Sequence, residues 1–154
     1  MGYVYARRGQ VDVEVSFDLD ATPIVWASIG CPSGDVTVPR NLSPSSTEPD
    51  NWCISQGGTV QQVDLGALVI EPTITVEMDL DDATYADLNT AFNDQDTIGL
   101  RFTATDADGN THVLTYAGVI TDHTLNFRGA AGATSQFTIT FHVNEVVSDV
   151  VTQA

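Results

Sequence analysis

Val11-Asp12-Val13-Glu14-Val15-Ser16-Phe17-Asp18-Leu19-Asp20 alternates without a break: the odd positions are apolar, and the even ones carry four carboxylates and a serine. Side chains of a strand project to opposite faces in turn, so the stretch predicts a strand with one face for a core and one crowded with negative charge. Thr73-Ile74-Thr75-Val76-Glu77-Met78-Asp79-Leu80-Asp81 repeats the pattern. Two such segments in one chain place the fold among the β proteins.

Working outward, Pro23–Ile29 reads as a second apolar strand, and Val60–Leu65 and Ala67–Leu80 as further strands, with Pro72 marking an edge or a bulge. Ile98, Leu100, Phe102 and Ala104 alternate with Thr97, Arg101, Thr103 and Thr105, and the turn Asp106-Ala107-Asp108-Gly109-Asn110 leads back into Thr111–Val119 as a hairpin. Leu125 and Phe127 open another strand. After the link Gly129–Ala133, a long closing strand carries Phe137, Ile139, Phe141 and Val143.

One helix interrupts the series at 82–93. Asp81 or Asp82 caps it, and Tyr85, Leu88 and Phe92 form its apolar stripe with Ala91 beside them. The expected architecture is mainly β: a β-sandwich or barrel of seven or eight strands with one flanking helix, in a single domain over residues 1–154. The sequence holds no internal repeat, so a larger symmetric β-structure has to come from several copies.

Residues 30–58 break the pattern. Pro32, Pro39, Pro44 and Pro49 stand there among Gly, Ser, Asp and Asn, so the segment reads as a long irregular loop with a functional purpose. Trp52 and Ile54 within it argue for docking onto something.

Charge is the other constraint. The chain has 21 Asp and Glu, no Lys and five Arg, for a formal charge of −16. Self-repulsion of this size opposes compaction, and it speaks against nucleic-acid binding through a basic patch. Concentrated salt removes most of it, because the Debye length falls to roughly 3 Å at 1 M. An Asp-rich, Lys-free composition resembles that of proteins from salt-loving hosts. No run of eighteen apolar residues predicts a membrane span, and Met1–Arg8 lacks the apolar stretch of a signal peptide.

Site chemistry is sparse. Asp106–Asn110 has the oxygen ligands and glycine that open a calcium loop but lacks the later bidentate Glu, so a hairpin turn is the expectation. His112, His123 and His142 lie on three strands and, with Cys31 and Cys53, show no ligand spacing. No catalytic, cofactor-binding or metal residues are assigned, and an enzyme is the least supported class. Cys31 and Cys53 bracket the loop as free thiols, or as a disulfide worth roughly 3 kcal/mol in the chain-entropy model. Asn41-Leu42-Ser43 is a glycosylation sequon.

This order of elements resembles the tail tube proteins of long-tailed viruses. The shared parts are the N-terminal strand, the long loop at 30–58, the acidic strand 71–81, the helix 82–93, the hairpin 97–119 and the closing strand 134–146. The resemblance implies a tail tube fold and a structural virion protein. In that family, hexameric rings stack into a tube that binds other tail proteins and conducts viral DNA without binding it specifically. It implies a subunit made in the host cytoplasm, housed in the virion tail and without membrane binding of its own.

On this reading Asp12, Glu14, Asp18, Glu77 and Asp79 are candidates to line a negatively charged channel, whose wall would hold no phosphates. Arg7, Arg8, Arg40 and Trp52 are candidates for contacts between rings. The alternatives are a tail terminator or adaptor ring of the same fold, and a calcium-dependent extracellular β-sandwich binding module.

Overall fold

The computed structural model describes residues 11–30, 32, 35–47 and 62–154. The strands are β1 (Val11–Ser16), β2 (Ala27–Ser28), β3 (Arg40–Thr47), β4 (Gln62–Ile70), β5 (Thr73–Glu77), β6 (Ile98–Thr105), β7 (Thr111–Asn126) and β8 (Gln136–Thr152), with helix α1 at Ala83–Asp94. Six of them form one sheet in the order β2-β1-β6-β7-β8-β5, and β3 and β4 form a separate two-stranded hairpin. All pairings are antiparallel.

Alternation sets the core. Val13, Val15, Ile74, Val76, Leu100, Phe102, Tyr116, Ile139 and Phe141 are buried together on one face of the sheet. Helix α1 covers that face: Leu88 and Ala91 are buried, and Tyr85 and Phe92 pack against the core half-buried. The Asp82 carboxylate caps the helix by accepting from the Thr84 N–H at 2.9 Å. This satisfies one of the donors that a helix start leaves free. Gln95 ends the helix in the left-handed conformation, φ 55°, and its N–H closes onto the last turn.

Four sequence expectations need correction. The first strand stops at Ser16 rather than Asp20. Beyond it the Ser16 hydroxyl donates to the Asp18 carbonyl, and the Asp20 N–H donates to Asp18 Oδ1. An Asp side chain that binds the backbone two residues on makes a turn of its own, and here it overrides the alternation. The acidic strand likewise ends at Glu77, where Asp79 Oδ1 accepts from the Asp81 N–H.

The stretch read as irregular contains strand β3, paired with β4 from Arg40↔Ile70 to Thr47↔Gln62, with a register shift between Leu42 and Pro44. Pro44 has no N–H to give a ladder, and strand prolines are tolerated at such irregularities. Finally, β7 does not end at Val119. It runs unbroken to Asn126, so Leu125 belongs to it and opens no strand of its own.

The paired β7 and β8 form the spine. Their ladder shifts register three times, leaving Thr121, Asn144 and Val147 without an opposite residue. Each bulge bends and twists the ribbon. Gly118 lies at one of them, where a Cβ would stand 2.0 Å from the His142 carbonyl oxygen.

Candidate functional site

The three channel candidates that lie on strands share one surface. Asp12, Glu14 and Glu77 sit on the sheet face turned away from the core, Asp12 and Glu14 on β1 and Glu77 on β5 at the far edge. Asp18 and Asp79 lie in the turns just described, exposed but off the strands.

The polar face is less acidic than the alternation suggests. Arg101 stands directly across from Glu14 and donates from Nη2 and Nε to Oε1, at 2.8 and 3.2 Å. Its guanidinium also lies 4.5 Å from the centre of the Trp26 ring. An arginine held by a carboxylate and an indole face is fixed in place, and it cancels the charge of Glu14 locally. Toward β5 the same face is rich in hydroxyls. Thr73 and Thr75 stand opposite Thr140 and Thr138, which in turn stand opposite Asp122 and Thr124. The Thr75 and Thr138 hydroxyls are 2.9 Å apart and hydrogen-bonded. Sequence reasoning overlooked Asp122, because it took β7 to end three residues earlier.

A second feature is an open edge. Strand β5 pairs with β8 only from Gln136 to Thr140, and a last backbone bond links the Phe141 N–H to the Pro72 carbonyl. Beyond that, among the described residues, no strand pairs with the edge of β8 opposite β7. This terminal half carries Val146, Val147, Val150 and Val151, each 43–65% exposed. An unpaired strand edge with exposed valines is a template for another strand.

Arg40, at the root of the β3–β4 hairpin, reaches this strand within the same chain. Its Nη1 donates to Asp149 Oδ2 at 2.9 Å, while His112 Nε2 lies 2.7 Å from Asp149 Oδ1. The hydrogen bond from His112 holds the Asp149 carboxyl below its ordinary value. Nearby, burial pushes the Tyr116 phenol up, and its hydroxyl finds no partner among the described residues. Arg7, Arg8, Trp52 and the Cys31–Cys53 pair lie outside the described residues.

The Asp106–Asn110 segment is built as a hairpin turn. Asp106 Oδ1 accepts from the N–H groups of Asp108 and Asn110, and Oδ2 accepts from Asn110 Nδ2 at 2.8 Å. The bond from the Asn110 side chain leads in lowering the Asp106 carboxyl below its ordinary value. The loop's own donors thus occupy both oxygens. Among the described residues no three His, Cys, Asp or Glu side chains gather as a metal site.

No family model matches the sequence, and no curated protein matches it either. Solved structures share the fold. A chain from the tail of an empty gene transfer agent particle with C6 symmetry superposes at a TM-score of 0.62 and 13% identity, over 97% of this chain and 100% of that one. A chain of the SPP1 tail tube gives a TM-score of 0.60 at 10% identity, over 97% and 80%. The tube-terminating cap of the anti-feeding prophage gives 0.55 at 11% identity, over 100% and 94%. The chain therefore has the tail tube fold: mainly β, with one flanking helix.

Proposed function

We propose that this protein is a structural virion subunit that closes into six-membered rings stacked as a tail tube. One observation carries the reading. The fold matches tail tube chains over nearly its whole length, and the terminal half of β8 offers an apolar strand edge with nothing paired to it among the described residues. Closure of a ring removes such edges, whereas a free monomer would have to keep them from aggregating. DNA would pass through without specific binding, along the polar sheet face. There Asp12, Glu77 and Asp122 supply negative charge and the threonines supply hydroxyls. The β3–β4 hairpin, with Arg40 at its root, is the candidate for contact with the next ring.

A second reading has support of its own. A terminating cap shares the fold to nearly the same degree, so a tail terminator or adaptor ring fits the geometry as well. Electron microscopy of the purified protein in molar salt separates the readings. Long tubes support the tube subunit, single rings support a terminator, and monomers at every concentration reject both.

The edge assignment has its own test. Val147→Lys with Val151→Lys alters two exposed side chains, so the subunit should fold with its thermal midpoint unchanged to within a few degrees. Lysines are a natural block to edge pairing. Ring formation should fall at least tenfold, as measured by sedimentation. The control Val25→Lys, at a site 73% exposed on a loop, should assemble normally. Assembly of the double variant at the control's level would remove β8 from the interface.

A further inference from the structure

Near the far end of β7, on the core face of the sheet, one histidine sits where water does not reach its outer nitrogen. His123 stands directly opposite Ile139 on β8 and points toward helix α1. Three aromatic rings surround it. Phe92 lies 5.6 Å away between ring centres, Phe137 at 5.7 Å and Tyr85 at 6.3 Å. Tyr85 and Phe92 come from α1 and Phe137 from β8, so the imidazole helps join helix to sheet, beside the direct contact of Tyr85 with Phe137 at 5.2 Å. Its Nε2 is buried and has no hydrogen-bond partner among the described residues.

We propose that His123 makes the docking of helix α1 on the sheet acid-labile, so that the helix loosens when the ring takes up a proton. This is a property of the single subunit and does not depend on ring or tube formation.

A neutral imidazole fills this nest as an aromatic ring would, leaving one polar atom unsatisfied. An imidazolium is another matter. It bears N–H donors on both nitrogens, and Nε2 is shut off from solvent with no acceptor for one among the described residues. Burial of a charge without a partner is far more costly than burial of the neutral ring. The rings return only a part of this through cation–π attraction.

Of the groups packed around His123, α1 brings Tyr85 and Phe92 and β8 brings Phe137, none of them charged at neutral pH. Among the described residues Asp122 on β7 brings the nearby charge, and as the neighbour in the strand it points to the opposite face. Desolvation prevails over that carboxylate and lowers the His123 value below its ordinary 6.5.

The sign follows from proton linkage. The unfolded chain takes up the proton as pH falls through about 6.5, while the folded chain resists until lower pH. The stability that the neutral ring confers is complete above 6.5 and declines as pH falls toward the folded value. His112 and His142, by contrast, each have a carboxylate partner, Asp149 and Glu71.

Thermal unfolding of the full chain in molar sodium chloride, at pH 8 and pH 5.5, tests this against His123→Phe. Salt holds carboxylate repulsion small in both proteins. The midpoint of the unmodified protein should fall with pH by roughly 2–4 °C more than that of the variant. Equal falls would overturn the proposal. Should the phenylalanine variant not fold, NMR on the unmodified protein decides. The His123 ring should titrate below the ordinary 6.5, and amide protection across Ala83–Asp94 should drop over that same range. A ring that titrates at or above 6.5, or a helix whose protection is constant through its titration, would overturn it.

Discussion

Gly118→Ala should destabilise the protein by about 3 kcal/mol or more. The added Cβ would lie 2.0 Å from the His142 carbonyl oxygen, 2.9 Å from its carbonyl carbon and 3.0 Å from Val143 Cα. All three are backbone atoms of β8, so no side chain can swing aside. Relief requires β7 and β8 to separate at a bulge in their ladder, with buried Tyr116 and Ile120 on either side. Overpacking of a core costs typically 1–3 kcal/mol when side chains yield, and a backbone clash belongs at or above the top of that range.

A loss of about 3 kcal/mol lowers the midpoint of a domain this size by roughly 6–12 °C. Gly129→Ala is the control, because nothing stands within 4 Å of its Cβ position. Its stability should change by less than about 1 kcal/mol. Denaturant unfolding of the two variants measures the contrast. A Gly118→Ala protein as stable as the control would mean that the spine is looser than its ladder implies.

The second large effect is on assembly. Tubes or rings formed in molar salt should dissociate on dialysis into dilute neutral buffer, with at least a tenfold loss of sedimenting material. Every subunit carries a formal −16, and at 0.01 M salt the Debye length is about 30 Å, longer than any contact between neighbours. The arginines cannot offset this. Arg101 and Arg40 are already paired within the subunit, and exposed pairs contribute only about 0–1 kcal/mol each.

Acidification to about pH 4 neutralises part of the carboxylate charge and should restore some assembly without salt. It also favours the protonated form of His123, the form proposed to loosen the helix, so acid should be a poorer substitute for salt than charge alone suggests. His123→Phe should narrow that gap. Assemblies that survive dilution at neutral pH would reject the electrostatic argument and weaken the reading of the composition as that of a salt-loving host.

Much of the fold was legible because alternation is a local signal. Val13, Val15, Ile74, Val76, Phe137, Ile139 and Phe141 could be assigned to the core from their spacing, and all are buried. The helix announced itself through Asp82 and the Tyr85–Leu88–Phe92 stripe. What escaped has physical reasons. The β3–β4 hairpin stands outside the main sheet, and segments such as Asn41-Leu42-Ser43-Pro44 carry no alternation for a core to impose.

The turns at Asp18 and Asp79 escaped because an Asp that faces water on a strand and one that binds its own backbone look identical in sequence. The pairing of Glu14 with Arg101, and the ring nest around His123, depend on which strands are neighbours and in what register. Alternation assigns a side chain to a face but is silent on what stands opposite. A hydrophobic stripe on α1 with two aromatic residues, together with a histidine in an apolar strand position, was the available hint.

The length of the spine has a mechanical consequence. Strands β7 and β8 hold 16 and 17 residues and are joined by fifteen opposed pairs. At about 3.4 Å per residue this is a ribbon of roughly 50 Å, with helix α1 near one end and the open edge at the other. A pull applied along β8 from its terminal half meets the ladder in shear, so many hydrogen bonds share the load at once. A pull across the ribbon instead peels them one at a time. The same joint therefore resists stretch along the strands and yields to sideways prying. Neighbours that load it lengthwise would gain a stiff tie, and a partner meant to take the assembly apart would do best to pry at the end of β8.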